Sequence, residues 1–149
     1  MKNLVGAAVV SASVATMAFA DNHALKIGFM ATLEGPYTVL GEDSQRGFQM
    51  ALNEFGNEVA GRPIEVTIGA TDASPESALR AARKLVEQDK VDVIVGPLSG
   101  SEGIALRDYS KTVPHVTFIN GISGAQETTR RGESAEAAGR LCVGPQVGG

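Results

Sequence analysis

Val91-Asp92-Val93-Ile94-Val95-Gly96-Pro97-Leu98-Ser99-Gly100-Ser101 is the stretch that decides how this chain folds. Its apolar run, rich in Val and Ile, is long enough for one buried strand. Gly96-Pro97 stops that strand, and the next periodic segment, from about Glu102 to Lys111, reads as a helix. Strand, tight turn and helix N-terminus thus meet within a few residues. The unpaired backbone N–H groups of a helix start favour an anion such as a carboxylate. Ser99 and Ser101 carry two readings here: a cap for their own helix, or a grip on a ligand.

Working outward, Leu25 to Ala31 predicts a first strand, with Leu25, Ile27 and Phe29 on one face. Thr32 to Gly41 is expected as a loop. A helix then runs from about Glu42 to Phe55, with Phe48, Ala51, Leu52 and Phe55 as its apolar stripe. Glu42 and Asp43 would sit in its first turn, where the dipole favours acids. Gly47, inside that helix, costs about 1 kcal/mol relative to Ala and fits either a close backbone approach or simple tolerance. Ile64, Val66 and Ile68 alternate with polar or small residues, as in a half-exposed edge strand. Ser74-Pro75-Glu76 is a helix start, and Ala78, Leu79, Ala82, Leu85 and Val86 form the stripe of the helix that follows. Arg80, Arg83, Lys84 and Glu87 fall on its wet side. After the central stretch, Ala105, Leu106 and Tyr109 point inward, His115 to Ile119 reads as a fourth strand, and Asn120 to Ala125 forms a small-residue loop.

This β-α-β-α-β-α-β order predicts the α/β class: an open parallel sheet with helices on both faces. Right-handed crossovers, with the second strand at the edge, give the order 2-1-3-4. The topological switch then lies between strands 1 and 3, where such sheets bind ligands. Loops Thr32–Gly41, Gly96–Ser101 and Asn120–Ala125 rise at that rim.

The chain has 149 residues with 13 Lys+Arg against 17 Asp+Glu, a net charge of −4. That balance argues against nucleic acid as a partner. Lys2, the uncharged stretch Leu4–Ala15 and Ala18-Phe19-Ala20 fit a cleaved export signal over residues 1–20, so the folded part is expected to begin at residue 21, outside the cytoplasm. Cys142 is the only cysteine, so the core rather than a disulfide must hold the fold. No His, Cys, Asp or Glu group has metal-ligand spacing, and neither a metal nor a cofactor is expected. Asp72, Asp89 and Asp92 read as caps or surface charges. Gly121-Ile122-Ser123-Gly124-Ala125 approximates a hydrolase nucleophile elbow, but both histidines, His23 and His115, precede the serine, against the order such enzymes need. An enzyme is therefore not expected.

Several pieces, in order, resemble one family: Leu25-Lys26-Ile27-Gly28-Phe29 with Glu34-Gly35-Pro36-Tyr37; Leu40-Gly41-Glu42-Asp43 leading to Arg46-Gly47; Gly61-Arg62-Pro63-Ile64-Glu65; Asp72 with Pro75; Ala82-Arg83-Lys84-Leu85-Val86; and Gly96-Pro97-Leu98-Ser99. From about Leu25 to Thr129 the chain resembles the first lobe of a type I periplasmic solute-binding protein of the branched-chain amino acid, leucine-binding kind. The resemblance implies two α/β lobes closing on an amino acid delivered to the membrane permease subunits of an ABC importer, in the periplasm. It also implies that the ligand's carboxylate and ammonium are held by Ser99, Gly100 and Ser101, and by Ile122, Ser123 and Gly124. Leu40 matches a position lining the side-chain pocket. Ser hydroxyls and N–H groups can hold a carboxylate, and loop carbonyls can accept from an ammonium. Gly100 and Gly124 let the backbone come close.

Ser99-Gly100-Ser101 stands where relatives often carry consecutive serines, and Ile122-Ser123-Gly124 where many carry Ala-Thr. Branched-chain, other aliphatic, aromatic and amide ligands all stay open. The resemblance ends near Thr129. Residues 130–149, rich in Gly, Ala and Arg, are expected as a non-homologous, disordered tail, with only a weak helical stretch from Ser134 to Leu141, arising from a shifted reading frame. A fragment without ligand-binding activity is the alternative this raises, with an unpaired edge at the fourth strand. Translating the coding DNA past Thr129 in the other two frames should reveal further alternating strands and helical stripes; their absence from both frames refutes the shift.

Overall fold

A computed structural model describes residues 23–129 and 141–143. The expected export signal and the remainder of the tail lie outside the described residues. The elements are β1 (Leu25–Thr32), α1 (Thr38–Glu54), β2 (Glu58–Val59), β3 (Arg62–Thr71), α2 (Pro75–Arg83), β4 (Val93–Val95), α3 (Gly100–Ser110), β5 (Thr117–Asn120), α4 (Gln126–Thr129) and β6 (Leu141–Val143). They form one sheet in the order β2-β3-β1-β4-β5-β6. Every pairing is parallel except the β2–β3 hairpin. The four strands expected from sequence are β1, β3, β4 and β5, and they take the expected order.

Both ends of the sheet carry a strand the sequence does not predict. Ala60 and Gly61 both have positive φ, 50° and 77°, which makes a two-residue turn and pairs Glu58-Val59 with Arg62-Pro63. At the other end β5 is not the bare edge expected. Phe118 to Asn120 pair in parallel with Leu141 to Val143. Three residues of backbone suffice to occupy free edge N–H and C=O groups, and such pairing needs no alternating pattern to advertise it.

Helices α2 and α3 cover one face, over Met30, Ile94 and Phe118. Leu85, 1% exposed, lies in the π-helical turn Lys84–Gln88 that extends α2. It fits a hollow left by two glycines: a methyl group at Gly28 or at Gly69 would stand 2.9 Å from its Cδ1. Burying such a leucine contributes about 2 kcal/mol. Among the described residues the opposite face is covered at its centre by α1. Phe48 stacks on Phe29 with ring centroids 4.4 Å apart, and Leu52 is buried beside it.

Helix α1 corrects several expectations. It starts at Thr38, not Glu42, because Pro36 sets helical geometry in the 3-10 turn Gly35–Tyr37, and the Thr38 hydroxyl donates to Gly35 O at 2.7 Å. Leu40 is therefore helical rather than in a loop. Glu42 and Asp43 fall beyond the first turn and pair with Arg46 instead. Of the expected stripe only Phe48 and Leu52 pack inward. Ala51 is exposed and Phe55 is 75% exposed, because α1 turns the side carrying Phe48 and Leu52 to the sheet. Gly47 has open space around it, so of its two readings simple tolerance holds. The close approach is made by Gly41, where a methyl group would overlap the carbonyl oxygen of Thr32. Elsewhere the differences are of boundary: β4 and β5 are shorter than or offset from the predicted runs, while Val91 and Val116, just outside them, are still buried.

Gly41→Ala should lower stability by about 3 kcal/mol, since backbone cannot yield as a side chain can. Gly47→Ala should raise it by about 1 kcal/mol, the helix-propensity difference alone. Urea midpoints of the two variants test this, and equal effects would contradict the docking of α1 on β1.

Candidate functional site

Strands β1, β3, β4 and β5 all end at one rim, so their following loops stand side by side. The β4 loop begins at Gly96, with φ +127° and a cis peptide bond to Pro97. A methyl group there would stand 2.8 Å from Met30 O, so only glycine fits. Gly96 N donates to Ile119 O at 3.1 Å, and Gly121 N to Gly96 O at 3.3 Å. These bonds stitch the β4 and β5 loops together.

Helix α3 begins two residues earlier than predicted, because Ser99 caps it. Ser99 Oγ accepts from Glu102 N at 3.3 Å, and Ser99 N donates to Glu102 Oε2 at 2.9 Å. This is a complete capping box. Ser99 Oγ also donates to Ala73 O at 3.1 Å and lies 3.2 Å from Ser101 Oγ. A carbonyl only accepts, so the Ser99 proton goes to Ala73, and Ser101 donates to Ser99. The N–H groups of Gly100 and Ser101, first in the helix, have no intrahelical acceptor by position. Gly100 and Gly103 face the β5–α4 loop. A methyl group at Gly100 would stand 3.3 Å from Ala125 Cβ, and one at Gly103 would overlap Ser123 Oγ.

The structure therefore brings Gly100 and Ser101 to one rim with the loop Ile122–Gly124. It does not turn every candidate side chain outward. Ser99 is spent on capping and on Ala73. Ser123 is 4% exposed. Its Oγ lies against α3 with no hydrogen-bond partner among the described residues, and its carbonyl accepts from Asn120 Nδ2 at 3.3 Å. A serine nucleophile needs an adjacent base, and among the described residues none bonds to this hydroxyl. Ile122 is 67% exposed and Leu40 51%; Gly124 stands in open space. Beside the β4 and β5 loops a recess of about 130 Å³ is lined by Phe29, Met30, Ser44, Val95, Pro97 and Ile122 among others, not by Leu40. The Ser44 hydroxyl there already donates to Gly41 O at 2.8 Å.

Two features at the rim, Glu102 and Asn120, escaped the sequence reading. Glu102 is fully buried, with Oε1 unpaired among the described residues; the Ser-x-x-Glu spacing was its available signal. Asn120, buried, ties the β5 loop to Thr128 Oγ1 at 3.4 Å. Asp72 caps its own loop, as its reading as a cap allows, and hydrogen bonds from Ser74 and then Ser77 hold its carboxyl down at about 2, against an ordinary 3.8. A lowered value stabilises the fold fully above pH 3.8, and that contribution is lost as pH falls through about 2. Asp92 accepts from Lys26 N and Asp89 from Lys84, each at 2.9 Å.

The family model for the periplasmic binding protein matches residues 24–136. A Leu/Ile/Val-binding protein homolog 8 of Brucella abortus is 31% identical over 133 residues, 87% of this chain and 32% of that protein. The chain thus spans about a third of the length of the curated relatives it matches. An ABC transporter substrate-binding protein from Sphaerobacter thermophilus has a similar structure, with a TM-score of 0.67 and 36% identity over 71% of this chain and 28% of its own. A solute-binding protein from Rhodopseudomonas palustris, solved with 3,4-dihydroxybenzoic acid, gives a TM-score of 0.64 and 25% identity over 70% of this chain and 28% of its own.

Ser99→Ala should cost about 1 kcal/mol by removing a cap. Ser123→Ala should leave stability unchanged or raise it, because a buried hydroxyl without a partner is itself a cost of about 1 kcal/mol. Denaturant melts of both variants measure this; a loss at Ser123 as large as at Ser99 would contradict the geometry.

Proposed function

Because the chain belongs to the periplasmic binding protein family, on its leucine-binding-like side, we propose that it is the first lobe of an extracytoplasmic solute-binding component serving the permease subunits of an ABC importer. Its ligand is a small carboxylate, a branched-chain or related amino acid. The N–H groups of Gly100 and Ser101, at the positive end of α3, hold the carboxylate, and the Ser101 hydroxyl turns to join them. Carbonyls of Ile122, Ser123 and Gly124 accept from the ammonium. Ser99 positions these groups rather than touching the ligand. Leu40, next to the docked Gly41 and exposed at the same rim, serves as a wall for the side chain. The apolar recess suits a hydrocarbon group.

One observation carries this reading: the first turn of α3 packs against the β5–α4 loop through Gly100 and Gly103, so both halves of the grip share one rim. The action proposed is binding, as in the solute-binding proteins this chain resembles. A single lobe leaves a zwitterion half wet, and tight binding needs near-complete burial with both charges paired. The affinity of this chain alone is therefore millimolar.

Titration of the isotope-labelled chain with leucine, and separately with benzoate, tests the proposal by NMR. Saturable shifts at Gly100, Ser101 and Ile122–Gly124, with a millimolar midpoint for leucine, are expected. Shifts confined to other residues, or none at tens of millimolar, would overturn it.

A further inference from the structure

The loop joining β3 to α2 lies outside the proposed grip but touches it through the hydrogen bond from Ser99 Oγ to Ala73 O at 3.1 Å. Ala73 has φ +70°, a left-handed conformation that costs a residue with a side chain roughly 1–2 kcal/mol. Something must hold it there. Asp72 does so with its carboxylate: Oδ1 accepts from Ser74 N at 2.9 Å and from Ser77 Oγ at 2.6 Å. A side-chain oxygen accepting from the N–H two residues on closes an Asx turn around the residue between, which here is Ala73. Asp72 N donates in turn to Ser77 Oγ at 3.1 Å. The cap of α2 does not depend on Asp72, because Ser74 Oγ accepts from Ser77 N directly. What Asp72 sets is the direction of the Ala73 carbonyl. That carbonyl takes the Ser99 proton, which leaves Ser99 Oγ as acceptor for both Glu102 N and Ser101 Oγ.

We propose that Asp72 is a positioning residue for the anion-holding start of α3, acting through the Ala73 carbonyl and the Ser99 hydroxyl. The proposal rests on the reading of that helix start as half of a ligand grip. It makes the β3–α2 loop a third component of the site, although none of its atoms touches the ligand.

The test compares Asp72→Ala and Asp72→Asn in the labelled full chain, first without ligand. Asp72→Ala should shift the amide resonances of Gly100, Ser101 and Glu102 and speed hydrogen exchange at Glu102 N severalfold. Asp72→Asn should restore both, because its Oδ1 still accepts from Ser74 and Ser77. With leucine added, affinity should fall at least threefold in Asp72→Ala and recover in Asp72→Asn. Ser99→Ala cuts the link from the other end and should shift the amides of Ala73 and Ser74; it gives the answer should Asp72→Ala not fold. Amides 100–102 unmoved in Asp72→Ala, amides 73 and 74 unmoved in Ser99→Ala, or Asp72→Asn behaving as Asp72→Ala would each overturn the proposal. A parent chain that ignores leucine while Asp72→Ala still moves amides 100–102 overturns the ligand reading and leaves the link between the loops standing.

Discussion

The first turn of α3 is wedged between two loops, and the rim takes its shape from that wedge. On one side the Ser99 hydroxyl bonds to Ala73; on the other Gly100 and Gly103 lie flat against Ala125 and Ser123. Neither glycine tolerates a methyl group without displacing a neighbour. Such contacts need the parallel order of β3, β1, β4 and β5, which puts all the loop ends at the same level. Sheet and loops are thus one constraint: Leu85 seated over Gly28 and Gly69 fixes α2 against the strands, and the loop entering α2 then presents Ala73 to Ser99.

Much of this was legible in the sequence. Alternation in Ile64, Val66 and Ile68, the Ser-Pro-Glu start of α2 and the apolar run ending in Gly96-Pro97 gave the strands, their order and the rim. Side-chain direction at the rim was not legible. Ser123 reads as a polar loop residue suited to a ligand, yet it turns inward, because Gly103 across from it leaves room. Ser99 reads equally as cap or grip; only the placement of Glu102 and Ala73 assigns it to the cap. Leu40 moved from loop to helix because a Pro-initiated 3-10 turn advanced the start of α1. The edge strands β2 and β6 rest on backbone pairing over two and three residues, too short for any pattern.

The two sheet faces differ in a way that bears on function. One is closed by α2 and α3 around a continuous apolar cluster. The other carries α1 among the described residues, and Phe55, Met50 and Ile122 are exposed. The binding groups we assign are mostly backbone atoms: N–H groups at a helix start and carbonyls of a glycine-bounded loop. Backbone groups held by caps and by close glycine contacts are set before a ligand arrives, which reduces the ordering cost of binding. In that proposal they would hold a carboxylate without reading the side chain; curated relatives are named for Leu, Ile and Val, and a structurally similar solute-binding protein was solved with 3,4-dihydroxybenzoic acid, which shares the carboxylate but carries no ammonium.

The contact between α3 and the β5 loop is the claim on which this account stands, and proton–proton NOEs in the purified chain measure it directly. The account predicts clear cross-peaks from Gly103 Hα to the Ser123 Hβ protons and from Gly100 Hα to the Ala125 methyl group. With those resonances assigned, the absence of both cross-peaks would contradict it.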